Sequence, residues 1–193
     1  MKERTTYEEA NKLLEQGFEY LVTHGIENAS LRSIASGIGC SPSNLYNYFE
    51  DKDDCIIEIT RYGFSKVAGA ILDYAVDNIG DLKFFFDNFL DKLENHINEL
   101  RAVYQVATSP FYGDRMREAA ENLQPVYNKY IKKLSEITCC REDLLYPTVF
   151  NFISVILDYA VWHDRPVTEI QLRDLYETIV TKIKISMSES QEA

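Results

Sequence analysis

The chain has 193 residues, enough for one large domain or for a small module joined to a larger one. Its 46% apolar composition excludes a disordered chain, and its eight glycines and five prolines disfavour a loop-rich all-β fold. The net charge of −11 argues, on average, against a protein that coats nucleic acid or an anionic membrane.

The N-terminus and the cysteines predict a cytoplasmic protein. The first residues lack the apolar core of a signal peptide, and no stretch reaches the roughly 18 uninterrupted apolar residues of a membrane span. Cys40, Cys55, Cys139 and Cys140 show no CxxC spacing and no nearby pair of histidines, which indicates free thiols in a reducing compartment. We expect no membrane association, no metal and no cofactor.

The spacing of apolar residues predicts an all-α fold. These residues recur at intervals of three and four along most of the chain, and no alternating strand pattern bounded by tight turns is present. About nine helices are expected. Glycine, proline and capping residues place them near 6–24, 31–37, 42–49, 51–78, 81–99, 100–109, 114–137, 144–163 and 169–187. Pro125 predicts a kink or break within the seventh, and Thr168 with Gln171 predicts a capping box for the last.

The second and third helices are short and lie close together in sequence. Ser30 and Ser41 stand at their N-cap positions, and Pro42 suits the first turn because its missing N–H would have no partner there. Only residues 38–40 separate the two helices, and they include Gly39, which permits a tight reversal. Two short helices joined in this way, behind a longer first helix, are typical of a helix-turn-helix module.

The charge distribution favours the same module. Residues 28–49 contain no acidic residue, and Arg32 is the only full positive charge among them. Residues 1–50 still carry a net charge of −3, from four basic residues and seven glutamates. We therefore expect modest non-specific DNA affinity with a steep salt dependence.

The segment SLRSIASGIGCSPSNLYNYFEDKDD resembles the DNA-binding signature of the TetR family of bacterial regulators. An Ile-Ala helix, a Gly-hydrophobe-Ser-like turn, a Leu-Tyr recognition helix, an aromatic residue and a lysine follow in that order, and the match covers about residues 6–57. The resemblance implies a helix-turn-helix DNA-binding domain at 1–50. It also implies a helical effector-binding and dimerisation domain at 51–193.

The resemblance also implies which residues contact DNA. Base edges would be read from the recognition helix, where asparagine suits bidentate contact with adenine; tyrosines, Ser41 and the lysine at the start of the next helix would contact the backbone. Arg32 would reach a base or a phosphate from the first helix of the module. The candidate DNA-binding residues are Arg32, Ser41, Pro42, Ser43, Asn44, Tyr46, Asn47, Tyr48 and Lys52.

The last two helices, about residues 144–187, predict a homodimer. The first of them is apolar on more than one face, so it needs a second partner besides its own domain. Two such helices from each subunit would make a two-fold symmetric four-helix interface, as the resemblance also implies. Burial in the centre of a monomer remains the alternative.

The aromatic helices between residues 62 and 130 would enclose an effector pocket by the same resemblance, although aromatics at helical spacing are more often core. They carry Tyr62, Phe64, Tyr74, Phe84, Phe85, Phe86, Phe89, Tyr104, Phe111, Tyr112, Tyr127 and Tyr130. Asn151, Ser154 and Asp158 share a stripe that faces solvent, a ligand or a partner subunit. The vicinal Cys139 and Cys140 raise the further possibility of thiol sensing.

Catalysis finds no support in the sequence. The three histidines are far apart, and no nucleophile elbow, phosphate-binding glycine loop, HExxH motif or paired cysteine ligand set is present. We expect no enzyme. The sequence and the resemblance together predict a dimeric transcription regulator that binds a palindromic operator and responds to a small-molecule effector. A repressor is favoured over an activator. The alternative is a helical ligand-binding or protein-interaction module whose helix-turn-helix no longer reads DNA.

Overall fold

The computed structural model describes residues 2–27, 29–121 and 124–192. Regular secondary structure in these ranges is helical throughout, which confirms the all-α prediction. The ten helices are α1 (Lys2–His24), α2 (Leu31–Gly37), α3 (Pro42–Leu45), α4 (Lys52–Asn78), α5 (Leu82–Glu94), α6 (Ile97–Ala107), α7 (Gly113–Glu121), α8 (Gln124–Thr138), α9 (Glu142–Trp162) and α10 (Arg165–Glu192).

The break predicted at Pro125 accounts for the tenth helix. The stretch expected as one helix over 114–137 is two helices, α7 and α8, and residues 122 and 123 between them lie outside the described ranges. Pro125 is the second residue of α8. A proline is tolerated in the first turn because its missing N–H would have no intrahelical partner there.

The predicted capping box at Thr168 and Gln171 is wrong. The last helix begins earlier, at Arg165, and Thr168 lies inside it with its hydroxyl donating to the Asp164 carbonyl at 2.8 Å. Asp164 supplies the cap instead, since its Oδ1 accepts from the Val167 N–H at 3.1 Å. The preceding helix ends at Trp162, and its C-cap residue His163 has a left-handed φ of 53°. The helix therefore begins at the cap formed by Asp164, one turn before the predicted cap at Thr168.

The chain divides into two compact units. The first contains the described residues up to Ala68 together with Asn98–Glu121, and it includes α1–α3, the start of α4, most of α6, and α7. Its core is built from Phe18, Leu21, Ile34, Leu45 and Ile56, all at most 3% exposed. These compact units do not test the predicted boundary at residue 50 between a DNA-binding and an effector-binding domain, which stays a prediction.

The second unit contains Gly69–Ile97 and the described residues from Gln124 onward. An aromatic cluster forms its centre: the Phe89 ring lies 4.5 Å from that of Phe152 and 5.3 Å from that of Phe85, centroid to centroid. Helix α9 packs against α8 and α10, and α10 also packs against α5. Tyr159 on α9, 1% exposed, donates its hydroxyl to the Glu94 carboxylate at the end of α5.

Among the described helices, α9 is long and apolar enough to span a membrane by length and composition alone. About a third of its most apolar stretch is buried inside the protein. A helix packed between neighbours in a protein core meets the same criterion, so this property by itself does not indicate a span.

Candidate nucleic-acid interface

The helix-turn-helix forms where the capping residues predict it. Ser30 caps α2 reciprocally with Ser33: the Ser30 Oγ accepts from the Ser33 N–H at 3.1 Å, and the Ser33 Oγ accepts from the Ser30 N–H at 2.8 Å. Ser41 caps α3, with its Oγ accepting from the Asn44 N–H at 3.3 Å, and Pro42 occupies the first helical position. Both predicted N-caps are confirmed.

The turn between α2 and α3 is a Schellman motif, which explains the glycine at its centre. The Gly39 N–H donates to the Ser36 carbonyl at 3.3 Å, and the Cys40 N–H donates to the Ala35 carbonyl at 2.9 Å. Gly39 has a φ of +73°, although a Cβ there would meet nothing within 4 Å. The glycine is therefore required for its backbone conformation and not for space.

Packing of α2 and α3 leaves one face of α3 in solvent. Ile34, Ala35 and Leu45 are completely buried between the helices. Helix α3 ends at Leu45, four residues shorter than predicted, and residues 46–48 continue as a turn. Tyr46 there is 61% exposed, which excludes a core role for its ring.

The other candidate DNA-binding residues lie on α2, on α3 with its N-cap residue and the turn that follows it, and at the start of α4. Arg32, Ser41, Ser43 and Asn47 are exposed, while Pro42, Asn44, Tyr48 and Lys52 are half-buried. The Asn44 side chain hydrogen-bonds the Cys40 thiol, whose pKa is raised because its burial outweighs the effect of that bond. Because the Asn44 amide makes this bond, the Asn47 amide is the more accessible of the two asparagine side chains.

Acidic side chains are absent from residues 29–49, the part of the acid-free window that the structure describes; Asn28 lies outside the described residues. Acids return at Glu50 and Asp51, just before α4, and continue in its first turn. Asp51 Oδ1 accepts from the Asp54 N–H at 2.8 Å, and Asp54 Oδ2 accepts from the Glu50 N–H at 3.0 Å. Lys52 is the first residue of this helix, so its ammonium stands beside the positive end of the helix dipole.

Two residues that the sequence did not single out as partners of this turn contact it. The Tyr112 hydroxyl donates to Asp53 Oδ1 at 3.1 Å, and Arg115 on α7 lies 3.4 Å from Asp54 Oδ1. Burial, and secondarily the bond to Asp53, raises the pKa of Tyr112, so the phenol stays protonated as a donor. These pairs are 59 and 61 residues apart in sequence, and no local pattern predicts them.

The aromatic residues expected around an effector divide between the two units. Phe85, Phe86 and Phe89 are buried in the core of the second unit, whereas Phe84 and Phe111 are exposed. The second unit also has a groove of about 420 Å³ between α5 and α10. Charged pairs line its rim, including Lys83–Asp87 at 2.5 Å and Arg165–Glu169 at 2.9 Å. The effector pocket between residues 62 and 130 stays a prediction.

No cluster of three or more His, Cys, Asp or Glu side chains suited to a metal occurs within the described parts of the chain. All four cysteines are free thiols: Cys55 and Cys140 are buried, Cys40 is half-buried and Cys139 is exposed. Asn151, Ser154 and Asp158 on α9 are exposed.

Residues 13–59 match the family model described as "Bacterial regulatory proteins, tetR family". The chain carries the N-terminal module of the tetR family. The match spans both helices of the helix-turn-helix and the first turns of α4, so it covers every candidate DNA-binding residue and about a quarter of the chain. It confirms the predicted resemblance to this family and supports a role as a DNA-binding transcription regulator.

No curated protein sequence matches the chain significantly. The crystal structure of a TetR family transcription regulator from Marinobacter aquaeolei VT8 is similar over 92% of this chain and 98% of that one, with 17% identity and a TM-score of 0.49. A likeness this distant does not bear on the function of this chain.

Proposed function

We propose that the chain is a dimeric, ligand-responsive repressor that binds a palindromic DNA operator in the cytoplasm and is released by a small-molecule effector. The observation that carries the proposal is the outward face of the helix-turn-helix. Leu45 anchors α3 in the core, while Ser43, Tyr46 and Asn47 are exposed beside it in a region free of acids. Such a surface suits a major groove, because exposed hydroxyl and amide groups can hydrogen-bond base edges and phosphates.

Each candidate residue has a distinct role in this proposal. Asn44 and Asn47 read base edges, with Pro42 and Ser43 packed against the groove at the start of the recognition helix. Tyr46, Tyr48 and Ser41 contact the sugar-phosphate backbone. Arg32 and Lys52 contribute full positive charges to phosphates on either side, and this makes affinity fall as salt rises.

A partly exposed apolar stripe on α9 supports the dimer. Tyr146, Phe150, Leu157 and Val161 recur at helical spacing on one face, and each is 37–40% exposed. Helix α10 adds exposed Val167, Ile170, Ile185 and Met187. Monomeric proteins rarely leave so extended an apolar surface in water, and a two-fold axis would place the stripe against its own copy.

The proposed response to an effector is thermodynamic coupling. A dimer presents two recognition helices, and the operator accepts only one spacing between them. An effector that binds a different spacing more tightly must weaken DNA binding by the same free energy. The aromatic residues between 62 and 130 are the proposed surroundings of this effector. The protein acts by binding and is not proposed to catalyse a reaction.

Selection from a random-sequence DNA library with the full-length protein tests the proposal. Enriched duplexes should contain an inverted repeat with half-sites about one helical turn apart or more. Light scattering should give the mass of two chains, alone and on DNA. The enriched duplex then serves to screen small molecules for release. Absence of any enriched sequence would favour the alternative, a helical ligand-binding or protein-interaction module that does not read DNA.

A further inference from the structure

The first turn of α4 presents a charge problem to a DNA-binding surface. Lys52 is followed at once by Asp53 and Asp54, and all three occupy the segment that would meet the phosphate backbone. Free carboxylates there would repel phosphates within the screening distance of about 8 Å at physiological salt. How the two aspartates are held therefore matters for binding.

Tyr112, in the connection between α6 and α7, and Arg115, in the first turn of α7, hold the two carboxylates. Tyr112 Oη donates to Asp53 Oδ1 at 3.1 Å, and the Arg115 guanidinium lies 3.4 Å from Asp54 Oδ1. The other oxygen of Asp54 accepts from the Glu50 N–H, so this side chain is fixed from two directions. Successive residues of a helix are about 100° apart, so when Asp53 and Asp54 face α7, Lys52 faces away from it.

The backbone that carries Tyr112 and Arg115, at the start of α7, is closely packed. The Gly113 N–H donates to the Ser109 carbonyl at 2.8 Å, and a Cβ on Gly113 would stand only 2.9 Å from the Ala107 carbonyl oxygen. The Tyr112 side chain is 8% exposed, and the next residue to face inward, Met116, is 7% exposed. Tyr112 and Arg115 are thus carried by a closely packed segment of backbone.

We propose that Tyr112 and Arg115 are positioning residues for DNA binding. They hold the Asp53 and Asp54 carboxylates on the α7 side of the first turn of α4, which turns Lys52 toward the DNA backbone and reduces repulsion of the phosphates. This inference rests on the proposed DNA-binding function. It adds to the interface two residues that lie far outside the matched segment, residues 13–59, and that do not touch DNA themselves.

Anisotropy titrations with a fluorescein-labelled duplex, enriched from a random library by the wild-type protein, test the proposal. Arg115→Gln should weaken binding about fivefold, because one positive charge no longer offsets Asp54. Tyr112→Phe, which keeps the buried ring, should weaken binding about threefold through loss of its hydrogen bond. Arg117→Gln is the matched control: Arg117 lies on the same helix and pairs at 2.8 Å with Asp114, not with α4.

Three further results separate positioning from direct contact and from general destabilisation. The salt slope of Arg115→Gln should equal that of the wild type, because a residue that does not touch phosphate releases no counterion. Arg115→Lys should restore most of the affinity. In an Asp54→Asn background, which keeps an acceptor oxygen for the Glu50 N–H, Arg115→Gln should have no further effect.

Wild-type affinity in both the Arg115→Gln and the Tyr112→Phe proteins would overturn the proposal. So would a salt slope shallower by about one in Arg115→Gln, since that would place Arg115 on a phosphate. Failure of the wild-type protein to enrich any duplex would instead remove the proposed function on which this inference rests. The two failures are therefore distinguishable.

Discussion

Phe18 lies directly against the backbone of Gly63, and a Cβ at position 63 would stand 2.2 Å from Cε2 of its ring. The ring is only 3% exposed, so it cannot swing aside without leaving the core of the first unit. Glycine normally weakens the interior of a helix, and here it permits the close approach of α1 and α4. This contact supports the helix on which Lys52 is carried.

Alanine at position 63 should therefore destabilise the protein despite its better helix propensity. We expect Gly63→Ala to lower the free energy of unfolding by about 1–3 kcal/mol, because of overpacking against Phe18. Gly69, on the same helix, has nothing within 4 Å of an added Cβ. Gly69→Ala should raise stability by about 0.5–1 kcal/mol. Urea unfolding measures both, and equal effects of the two substitutions would contradict the packing role of Gly63.

Glu94 should make stability depend on pH in the acid range. The hydroxyl of Tyr159, followed by His163 at 3.1 Å, lowers the pKa of Glu94 below its ordinary value of 4.5. A carboxyl whose pKa is lower in the folded state contributes stability that is present above the unfolded pKa and lost as the pH falls through the folded one.

Glu94→Gln should therefore flatten the dependence of unfolding free energy on pH below pH 4.5. Urea unfolding at a series of pH values measures the slope. Glu136→Gln, at an exposed site on α8, serves as the control and should leave the slope as in the wild type. An identical slope in Glu94→Gln and wild type would show that Tyr159 and His163 do not stabilise the charged form.

The apolar stripe on α9 should control dimerisation. Leu157→Glu places a charge at its centre, on a side chain that is 38% exposed in the single chain, so folding should survive while association is lost. Asn151→Glu changes an exposed residue off the stripe and is the matched control. Light scattering should give one chain for the first variant and two for the second; dimers in both would place the interface elsewhere.

The cysteines should differ sharply in reactivity. Cys139 is exposed, whereas Cys55 is completely buried, and burial, with Asp54 and Cys40 nearby, raises the pKa of Cys55 to about 12. Burial also raises the pKa of Cys140. A thiol reagent at neutral pH should modify Cys139 rapidly, and Cys55 and Cys140 only on unfolding. If Cys140 is modified rapidly in the Cys139→Ser variant, the predicted order of reactivity is wrong.

Local signals explain how far the sequence could predict this protein. Ser30, Ser41 and Pro42 act within three or four residues of their own positions, and the helix starts they predicted are the observed ones. The prediction at Thr168 was wrong because Asp164, four residues earlier, can also act as an N-cap. Competition between two adequate caps is decided by packing, which the sequence pattern does not contain.

Only the part of the candidate site that lies within the helix-turn-helix could be predicted from the sequence. The exposed face around Tyr46 follows from the spacing of buried residues on two short helices. The contacts of Tyr112 and Arg115 with α4 depend on the return of the chain after about 60 residues, and neither residue type nor period indicates them. Long-range polar pairs carry no periodic signature, so the structure is needed to find them.

The affinity of Tyr46→Ala for the enriched duplex, compared with a scrambled one across salt concentrations, is the most direct measurement of the DNA interface. We expect about tenfold weaker specific binding, with the melting temperature and the mass of the dimer unchanged. The substitution removes a contact with the DNA backbone and no packing within the protein, because Tyr46 is exposed. Phe84→Ala, at an exposed aromatic on α5, should bind as the wild type does. Lys52→Ala should make the salt slope shallower by about one. Wild-type binding by both Tyr46→Ala and Lys52→Ala would contradict the assignment of this face to DNA.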